Sequence, residues 1–359
     1  MQCEVAADAA NPLSQEAGDA TIADTTAAAV SAAAAVVAAL QARELAPQLS
    51  AEWFRIRQQE VLSATDIGAL LGLDPYKTRR ATITKKAFPE LDVFRGNAMT
   101  EHGKRYESVV KQLYSRTFEE PVAELGLLRH PTIAFVAASP DGIGCHSLQL
   151  VEIKCPVRRL IQPGVVPPAY YAQIQTQLQV TQASCCQYVE ASITEVDGVF
   201  APGCAAPGEF DGAVLGRATG SGWSYVYAFA DADGTPLSYH QAAEQLQAQA
   251  QPGDRLWSYK VQDWQAVAVP RDDAWWAIQL PLLESAWREI LHLRAQGPAA
   301  AAAATLLRKR KRPEAPAAGA GSPLLAGLPS SLPPHPPCSF LEDDDETELL
   351  TSLVQSQCQ

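Results

Sequence analysis

The segment at residues 139–156 reads SPDGIGCHSLQLVEIKCP, and the alternation in its second half is the strongest constraint on the fold. Successive side chains of a β-strand point to opposite faces, so Val151 and Ile153 would share one face of a strand here. Glu152 and Lys154 would then lie together on the other face. Because two ionised groups on a concealed face are costly unless they are paired or bind metal, the segment predicts a strand that carries a polar site.

Asp141 lies at a Gly-containing turn just before this strand and can converge on the same place as Glu152. Two carboxylates and a backbone carbonyl make an oxygen-rich site, which suits Mg²⁺ or Mn²⁺ better than zinc. A neighbouring Lys154 can orient a water molecule or stabilise charge on a phosphate. These groups predict metal-assisted phosphodiester hydrolysis. The alternative is a solvated Glu152–Lys154 ion pair, with Asp141 capping the turn.

Apolar periodicity and helix-boundary residues predict alternating helices and strands in the middle of the chain. A helix-start signal stands at residues 63–66, and Asp74-Pro75 ends the helix that follows. Further helices are predicted at 97–117, 169–183 and the end of 261–293, and strands at 132–139, 148–155, 186–194 and the start of 261–293.

Composition divides the chain into one predicted domain and two tails. Residues 1–47 are rich in Ala and predict a disordered or loosely helical tail, and residues 48–297 predict one α/β domain with a Gly/Ala/Pro-rich insertion loop at 197–222. Residues 298–359 predict a second disordered tail. That tail contains a basic run at 308–312 and an acidic amphipathic end at 339–354.

Charge and cysteine usage narrow the cellular setting and the class of site. The net charge is −12, but residues 51–160 carry more basic than acidic side chains, so the overall sign decides little about nucleic-acid binding. The eight cysteines form no C-x-x-C pair, which argues against zinc ribbons and favours a reducing, intracellular compartment. We expect no secretory signal and no membrane span. The run KTRRATITKK at residues 77–86 could follow a DNA backbone, or it could be a solvated loop.

Five segments appear in an order that resembles a known family. They are EWFRIRQQEVLSATDIG, HGKRYESVVKQLY, ASPDGI, LVEIKCP and AYYAQIQTQLQVT, within residues 52–181. With these segments in this order, the chain resembles the lambda exonuclease/YqaJ-type viral recombinases, which are a branch of the PD-(D/E)XK nucleases. The resemblance implies a restriction-endonuclease-like core, which is a mixed central sheet flanked by helices. It also implies Mg²⁺ as the cofactor, with Mn²⁺ as a substitute.

The resemblance assigns a role to individual residues of this chain. The metal ligands that it implies are Asp141, Glu152 and the carbonyl of Ile153. The further catalytic residues that it implies are Glu107, Lys154 and Gln173. The family binds a DNA 5′-phosphate with basic and hydroxyl groups, and the matching positions are Arg57, Thr65 and Ser139. The family's arginine after the Glu-x-Lys triplet has no aligned counterpart, but Arg158 and Arg159 lie nearby, and Arg158 is the candidate for that role.

Ordinary structural roles compete with two of these assignments. Glu107 could be an exposed helical partner of Lys111, because residues four apart on a helix are neighbours. Gln173 and Gln177 could lie on a solvated helix face.

The function that follows is that of a Mg²⁺-dependent deoxyribonuclease, namely an exonuclease that resects double-stranded DNA ends for recombination or repair. A structure-specific endonuclease and an inactive DNA-binding scaffold on the same fold remain alternatives. We expect DNA ends as the substrate and a homo-oligomeric ring as a further assembly. The C-terminal tail predicts a site for a single-strand annealing recombinase or a replication factor. The basic run 308–312 predicts nuclear import, and a cytoplasmic location is the alternative.

Overall fold

The computed structural model describes residues 28–91, 97–200, 208, 210–220 and 222–298 of the 359-residue chain. Its helices are α1 (residues 28–41), α2 (Ala51–Gln59), α3 (Ala64–Leu70), α4 (Arg79–Ala87), α5 (Ala98–Phe118), α6 (Pro168–Thr181), α7 (Tyr239–Gln249) and α8 (Asp273–Gln296). A 3₁₀ turn covers Pro89–Leu91.

The described strands form two sheets. The strands are β1 (Leu62–Ser63), β2 (Val122–Ala123), β3 (Leu128–Arg129), β4 (Val136–Ala138), β5 (Gly142–Gly144), β6 (Leu150–Lys154), β7 (Cys185–Asp197), β8 (Gly212–Thr219), β9 (Gly222–Tyr227) and β10 (Arg255–Pro270). The large sheet has the order β2-β5-β6-β7-β10-β8-β9, and the small one has the order β1-β4-β3. Strands β6 and β7 are parallel while β5 and β6 are antiparallel, so the large sheet is mixed, as the sequence predicts.

Local sequence signals account for the helices that hold the site. Ser63 and Asp66 form a capping box at the start of α3, which satisfies backbone N–H groups that the helix leaves free. Asn97 caps α5 through its side chain, and Pro168 begins α6 at a position where its missing N–H is no loss. The helices predicted at 63–74, 97–117, 169–183 and near the C-terminal end of the domain are therefore confirmed.

The core has a layer on each face of the large sheet. On one face, α5 packs its Tyr106 and Val109 against Val151 and Ile153 of β6. On the other face, the core contains Leu150, from the same strand, together with residues of α3, α6 and α8. Strand β6 is therefore buried on both sides, and any polar group that it carries is enclosed by helices.

The predicted N-terminal tail is wrong over its second half. Residues 28–41 form α1, and Val37 and Leu40 of this helix are buried in the core beside α3. The following segment bonds to the domain as well, since the N–H of Leu45 donates to the carbonyl of Leu127 at 2.8 Å. Alanine composition alone predicted disorder, whereas the few larger apolar residues give this helix a face to bury.

The predicted insertion loop at residues 197–222 is also wrong where it is described. Strand β8 occupies Gly212–Thr219, and its two glycines lie beneath aromatic rings of β10. A Cβ at Gly212 would lie 2.4 Å from the Tyr259 hydroxyl, and one at Gly216 would lie 2.4 Å from the Trp257 ring. These glycines are therefore packing residues of a strand, although in the sequence they look like loop residues.

Several predictions concern residues outside the described part of the chain. They include the first 27 residues of the N-terminal tail, the basic run 308–312 and the acidic end 339–354. Among the described helices, none combines the length and apolar character that crossing a bilayer requires.

Candidate active site

Asp141 and strand β6 are joined by a short hydrogen bond at the point where β5 begins. The N–H of Ile153 donates to Oδ2 of Asp141 at 2.7 Å. The N–H and C=O of one strand residue point to the same side of the strand, so the Ile153 carbonyl faces the Asp141 side of β6. The turn before β5 thus brings Asp141 beside the backbone group that the sequence predicts as a third metal ligand.

Glu152 is fully buried and accepts hydrogen bonds from three side chains. Its Oε1 atom accepts from Nζ of Lys154 and from the amide of Gln173. Its Oε2 atom accepts from the amide of Gln177 at 2.5 Å. Gln173 and Gln177 are themselves buried, so the alternative that placed them on a solvated helix face is wrong. The same bonds and the burial exclude a solvated Glu152–Lys154 pair.

The site holds more acid than base. Burial raises the pKa of Asp141 well above its usual range, and the charges of Glu152 and Glu107 raise it further. The pKa of Glu107 is raised as well. Burial and the charge of Glu152 raise it, and together they outweigh the nearby Lys111, which lowers it. Lys111 forms its ion pair with Glu124, at 3.2 Å, and Glu107 feels the charges of Glu152 and Lys154 as well as that of Lys111. Three carboxylates here repel one another.

Lys154 is the cation among these carboxylates. Burial lowers its pKa, but Glu152 and Asp141 outweigh burial and raise the pKa above its usual value. Its ammonium group also lies 5.1 Å from the centre of the Tyr170 ring, a cation–π contact that the sequence did not suggest. Lys154 is therefore charged at neutral pH and held in one place.

The donor chemistry fits a hard divalent cation. Asp141, Glu152 and the Ile153 carbonyl offer oxygen atoms, which Mg²⁺ and Mn²⁺ prefer, and Mg²⁺ usually keeps several water ligands of its own. Burial, and then the charges of Glu152 and Glu107, raise the pKa of Asp141, so a bound cation would offset what disfavours its ionised form. Within the described ranges, no group of three or more His, Cys, Asp or Glu side chains is arranged as a metal site, so the two carboxylates need the backbone carbonyl and water to complete the shell.

Arg57, Thr65 and Ser139 meet at a corner next to these carboxylates. Nη2 of Arg57 donates to the Thr65 hydroxyl at 2.7 Å. The Arg57 guanidinium also lies 4.0 Å from the centre of the Trp53 ring, and Nε1 of Trp53 donates to the Ser139 hydroxyl at 3.3 Å. Trp53, which the sequence did not single out, thus connects the predicted phosphate-binding residues to one another.

A cavity of about 680 Å³ opens beside this corner. Trp53, Arg57 and Thr65 line it, together with Lys77 and Lys85. Burial lowers the pKa of Arg57, while Asp66, Glu152 and Asp141 raise it, so the Arg57 charge lies within reach of the candidate metal ligands. A negatively charged group in the cavity would be close to the carboxylate site.

The basic run at residues 77–86 is neither a loop nor uniformly available for DNA. Most of it forms α4, and Arg79 pairs with Glu289 at 2.9 Å. Lys86 is buried and pairs with Asp66 at 2.7 Å, and its ammonium also donates to the carbonyls of Val61 and Arg57. Lys86 therefore stabilises the phosphate-binding residues from the protein interior, because it connects the end of α2 to the start of α3.

Arg158 is not brought to the site, and its neighbour Arg159 pairs with a different buried acid. Arg158 is exposed, and the structure records no contact between it and the other predicted site residues. Arg159 forms an ion pair with the buried Glu190 and donates to the Tyr188 hydroxyl at 3.4 Å. Sequence spacing could not separate these two arginines, since the chain between β6 and α6 is irregular.

This fold and this site define the class of the protein. A mixed sheet whose central strand carries Glu152 and Lys154, with Asp141 at the preceding turn, resembles the restriction-endonuclease-like PD-(D/E)XK core. Residues 52–184 match the family model of the YqaJ-like viral recombinase domain. The match covers less than half of the chain, and it shows that this segment resembles the YqaJ-like viral recombinase domain.

Relatives of known sequence or structure were found as well. Over 166 residues the chain is 36% identical to uncharacterized protein R354 of Acanthamoeba polyphaga mimivirus. The matching stretch covers 42% of this chain and 30% of that protein. The crystal structure of an alkaline exonuclease (LHK-Exo) from Laribacter hongkongensis is similar with a TM-score of 0.43 and 20% identity, over 73% of this chain and 98% of that one. A phage related exonuclease from Haemophilus somnus 129PT is similar with a TM-score of 0.39 and 12% identity, over 66% and 96%.

Proposed function

We propose that this protein is a divalent-metal-dependent deoxyribonuclease that degrades double-stranded DNA from an end. The observation that carries the proposal is the enclosed group of Asp141, Glu152 and Lys154 beside a basic cavity. Acidic residues that hold a cation and a fixed lysine suit phosphodiester hydrolysis, and basic residues nearby suit a phosphate backbone. The family match of residues 52–184 supports the same class of activity.

Each residue has a defined part in this proposal. Asp141, Glu152 and the Ile153 carbonyl would hold Mg²⁺, which when bound supplies Lewis-acid stabilisation and an acidified water molecule. Lys154 places a positive charge where charge develops on the scissile phosphate, or orients the attacking water. Gln173 holds Glu152 through a hydrogen bond, and Glu107 adds a carboxylate that favours the cation.

We propose that the cavity beside Arg57 receives the phosphate at a DNA end. Arg57 and the Thr65 hydroxyl line the cavity and can donate hydrogen bonds to phosphate oxygens, and Lys77 and Lys85 add positive charge. Ser139 does not line the cavity but is hydrogen-bonded to Trp53, which does. A site that holds a terminal phosphate next to the cleavage site would favour cleavage near the end. Resection of this kind exposes single strands for recombination or repair, and a ring-shaped assembly would keep the enzyme on its substrate.

The proposal is tested with end-labelled linear duplex DNA and closed circular duplex DNA of equal length, each with Mg²⁺ or with EDTA. We expect the linear DNA to be shortened from its ends with Mg²⁺, the circle to survive, and EDTA to stop the reaction. Glu152→Gln should be inactive, while Glu284→Gln, a like change at an exposed position of α8, should be fully active.

Other outcomes distinguish the alternatives. Cleavage of the closed circle would favour a structure-specific endonuclease on the same site. Binding of DNA by the wild-type protein without cleavage of either substrate would favour a DNA-binding scaffold. Full activity of Glu152→Gln would contradict the proposed site, whichever substrate is cut.

A further inference from the structure

Gln177 is a second amide on the metal-facing glutamate, and neither the resemblance nor the proposed function gives it a role. It lies four residues after Gln173 on α6, a spacing that places both side chains on one helix face. Gln177 is fully buried and donates to Oε2 of Glu152 at 2.5 Å. The two glutamines therefore hold different oxygen atoms of the same carboxylate.

The acceptor capacity of Glu152 is divided unequally between its two oxygens. A carboxylate has about four lone-pair sites, two on each oxygen. Lys154 and Gln173 both donate to Oε1, which uses the capacity of that atom. Gln177 is the donor to Oε2, and one lone pair on that oxygen remains. Oε2 is thus the atom of Glu152 that can bind a cation while the hydrogen bonds stay in place.

The other end of the Gln177 amide shows that its orientation is constrained. Its Oε1 atom is buried and has no hydrogen-bond partner among the described residues. Leaving a buried acceptor unsatisfied is unfavourable. Turning the amide over would bring its oxygen against Oε2 of Glu152, and two acceptors repel each other. The Gln177 amide therefore donates to Glu152 while its own oxygen stays without a hydrogen bond. An unsatisfied buried group of this kind often marks a functional site.

We infer that Gln177 is a positioning residue that fixes the Glu152 carboxylate so that one lone pair of Oε2 is presented to the divalent cation. The inference rests on the proposed metal-dependent nuclease function. Gln173 and Lys154 anchor one oxygen, and Gln177 prevents rotation of the carboxylate about that anchor. Loss of this donor would weaken metal binding and leave the ligand set intact.

The test measures metal binding directly, without DNA. Free Mn²⁺ is followed by electron paramagnetic resonance as it is titrated with wild-type protein and with Gln177→Met, which keeps the side-chain volume and removes the donor. We expect Mn²⁺ to bind Gln177→Met about 10- to 100-fold more weakly, the range seen when a partner of a metal ligand is lost. The matched control is Gln175→Met on the same helix.

Gln175 is a close control because it is as buried as Gln177 and also loses hydrogen bonds on substitution. Its amide donates to the Pro270 carbonyl at 2.8 Å and accepts from the Asp272 N–H at 2.8 Å, away from Glu152. We expect Gln175→Met to melt at a lower temperature and to bind Mn²⁺ with wild-type affinity. Equal weakening in both variants would show general loosening of α6 and overturn the inference.

The remaining outcomes separate this inference from the proposed function. If wild type and both variants bind Mn²⁺ alike, Gln177 has no positioning role, and the nuclease proposal is unaffected. If wild type binds no Mn²⁺, the metal-dependent function fails, and the inference fails with it. Should Gln177→Met not fold, Gln177→Ser takes its place, since a small hydroxyl leaves room for water; wild-type Mn²⁺ affinity in that folded variant would overturn the inference.

Discussion

Two buried glutamates lie on adjacent strands of the same sheet, yet their surroundings differ. Glu152 on β6 and Glu190 on β7 are both fully buried. Lys154 is paired in register with Glu190, and Glu152 lies two residues before Lys154, so both glutamates lie on one face of the sheet. Each is bonded to a basic side chain and to a glutamine amide.

The difference lies in the charge that surrounds each glutamate. Glu190 has Arg159 as its ion-pair partner and accepts from Gln265 at 3.2 Å, so one acid faces one base. Glu152 shares a single cation, Lys154, with Asp141 and Glu107. A buried, paired carboxylate is therefore not by itself a sign of catalysis. The excess of negative charge, together with an unused oxygen lone pair, is what distinguishes the candidate metal site.

The largest expected effect is on the cleavage rate, when one carboxylate charge is removed either beside Glu152 or at Glu190. Asp141→Asn should lower the cleavage rate about a thousandfold or more, since several kcal/mol of metal-borne stabilisation would be lost. Its stability should be retained, because the amide oxygen can still accept from the Ile153 N–H. Glu190→Gln should cleave at the wild-type rate per folded molecule. Rates on linear DNA with Mg²⁺ measure both, and equal loss in the two variants would remove the distinction between the sites.

The next largest effect is on the free energy of unfolding, and it concerns Glu190. Arg159→Met should lower the free energy of unfolding by about 3 kcal/mol, because Glu190 would be left buried without a cation. Glu190→Gln should cost less, about 1 kcal/mol, since the Arg159 side chain is 34% exposed and can turn to water. Urea unfolding without Mg²⁺ gives both values. The reverse order would show that the Arg159–Glu190 ion pair does not stabilise the folded protein.

The smallest effect is a dependence of stability on pH and Mg²⁺. The pKa of Asp141 is raised above its ordinary value of 3.8, so the folded protein is favoured while Asp141 is protonated. This contribution is complete below pH 3.8 and is lost as the pH rises through the higher folded pKa. Mg²⁺ at several times its dissociation constant should restore about 1 kcal/mol above that pH. Melting temperatures across pH test this, and both trends should be smaller in Asp141→Asn, where, of these two acids, only Glu107 keeps a raised pKa.

Much of the site could be predicted because it depends on local pattern. Alternation placed Glu152 and Lys154 on one face of β6, and the turn before β5 brought Asp141 to the same strand. Periodicity predicted α5 and α6. Each of these inferences needs a short segment alone, and each is reproduced by the structure.

The errors concern residues whose surroundings come from distant parts of the chain. Gln177 looked solvent-exposed because α6 carries polar residues at every second position, but α3, β4, β7 and α8 pack around that helix. Lys86 looked available for DNA, but it pairs with Asp66, twenty positions earlier. Gly212 and Gly216 looked like loop residues until β10 supplied the aromatic rings above them. Packing partners of this kind have no signature in the local sequence.

A divalent cation bound between Asp141 and Glu152 is the central requirement of the proposed function. Crystals of the protein soaked in Mn²⁺ and measured at the manganese absorption edge would locate the ion by its anomalous signal. We predict a peak within bonding distance of Asp141, of Oε2 of Glu152 and of the Ile153 carbonyl, and no peak at Glu190. A manganese peak at Glu190 or elsewhere, with none between Asp141 and Glu152, would contradict the account.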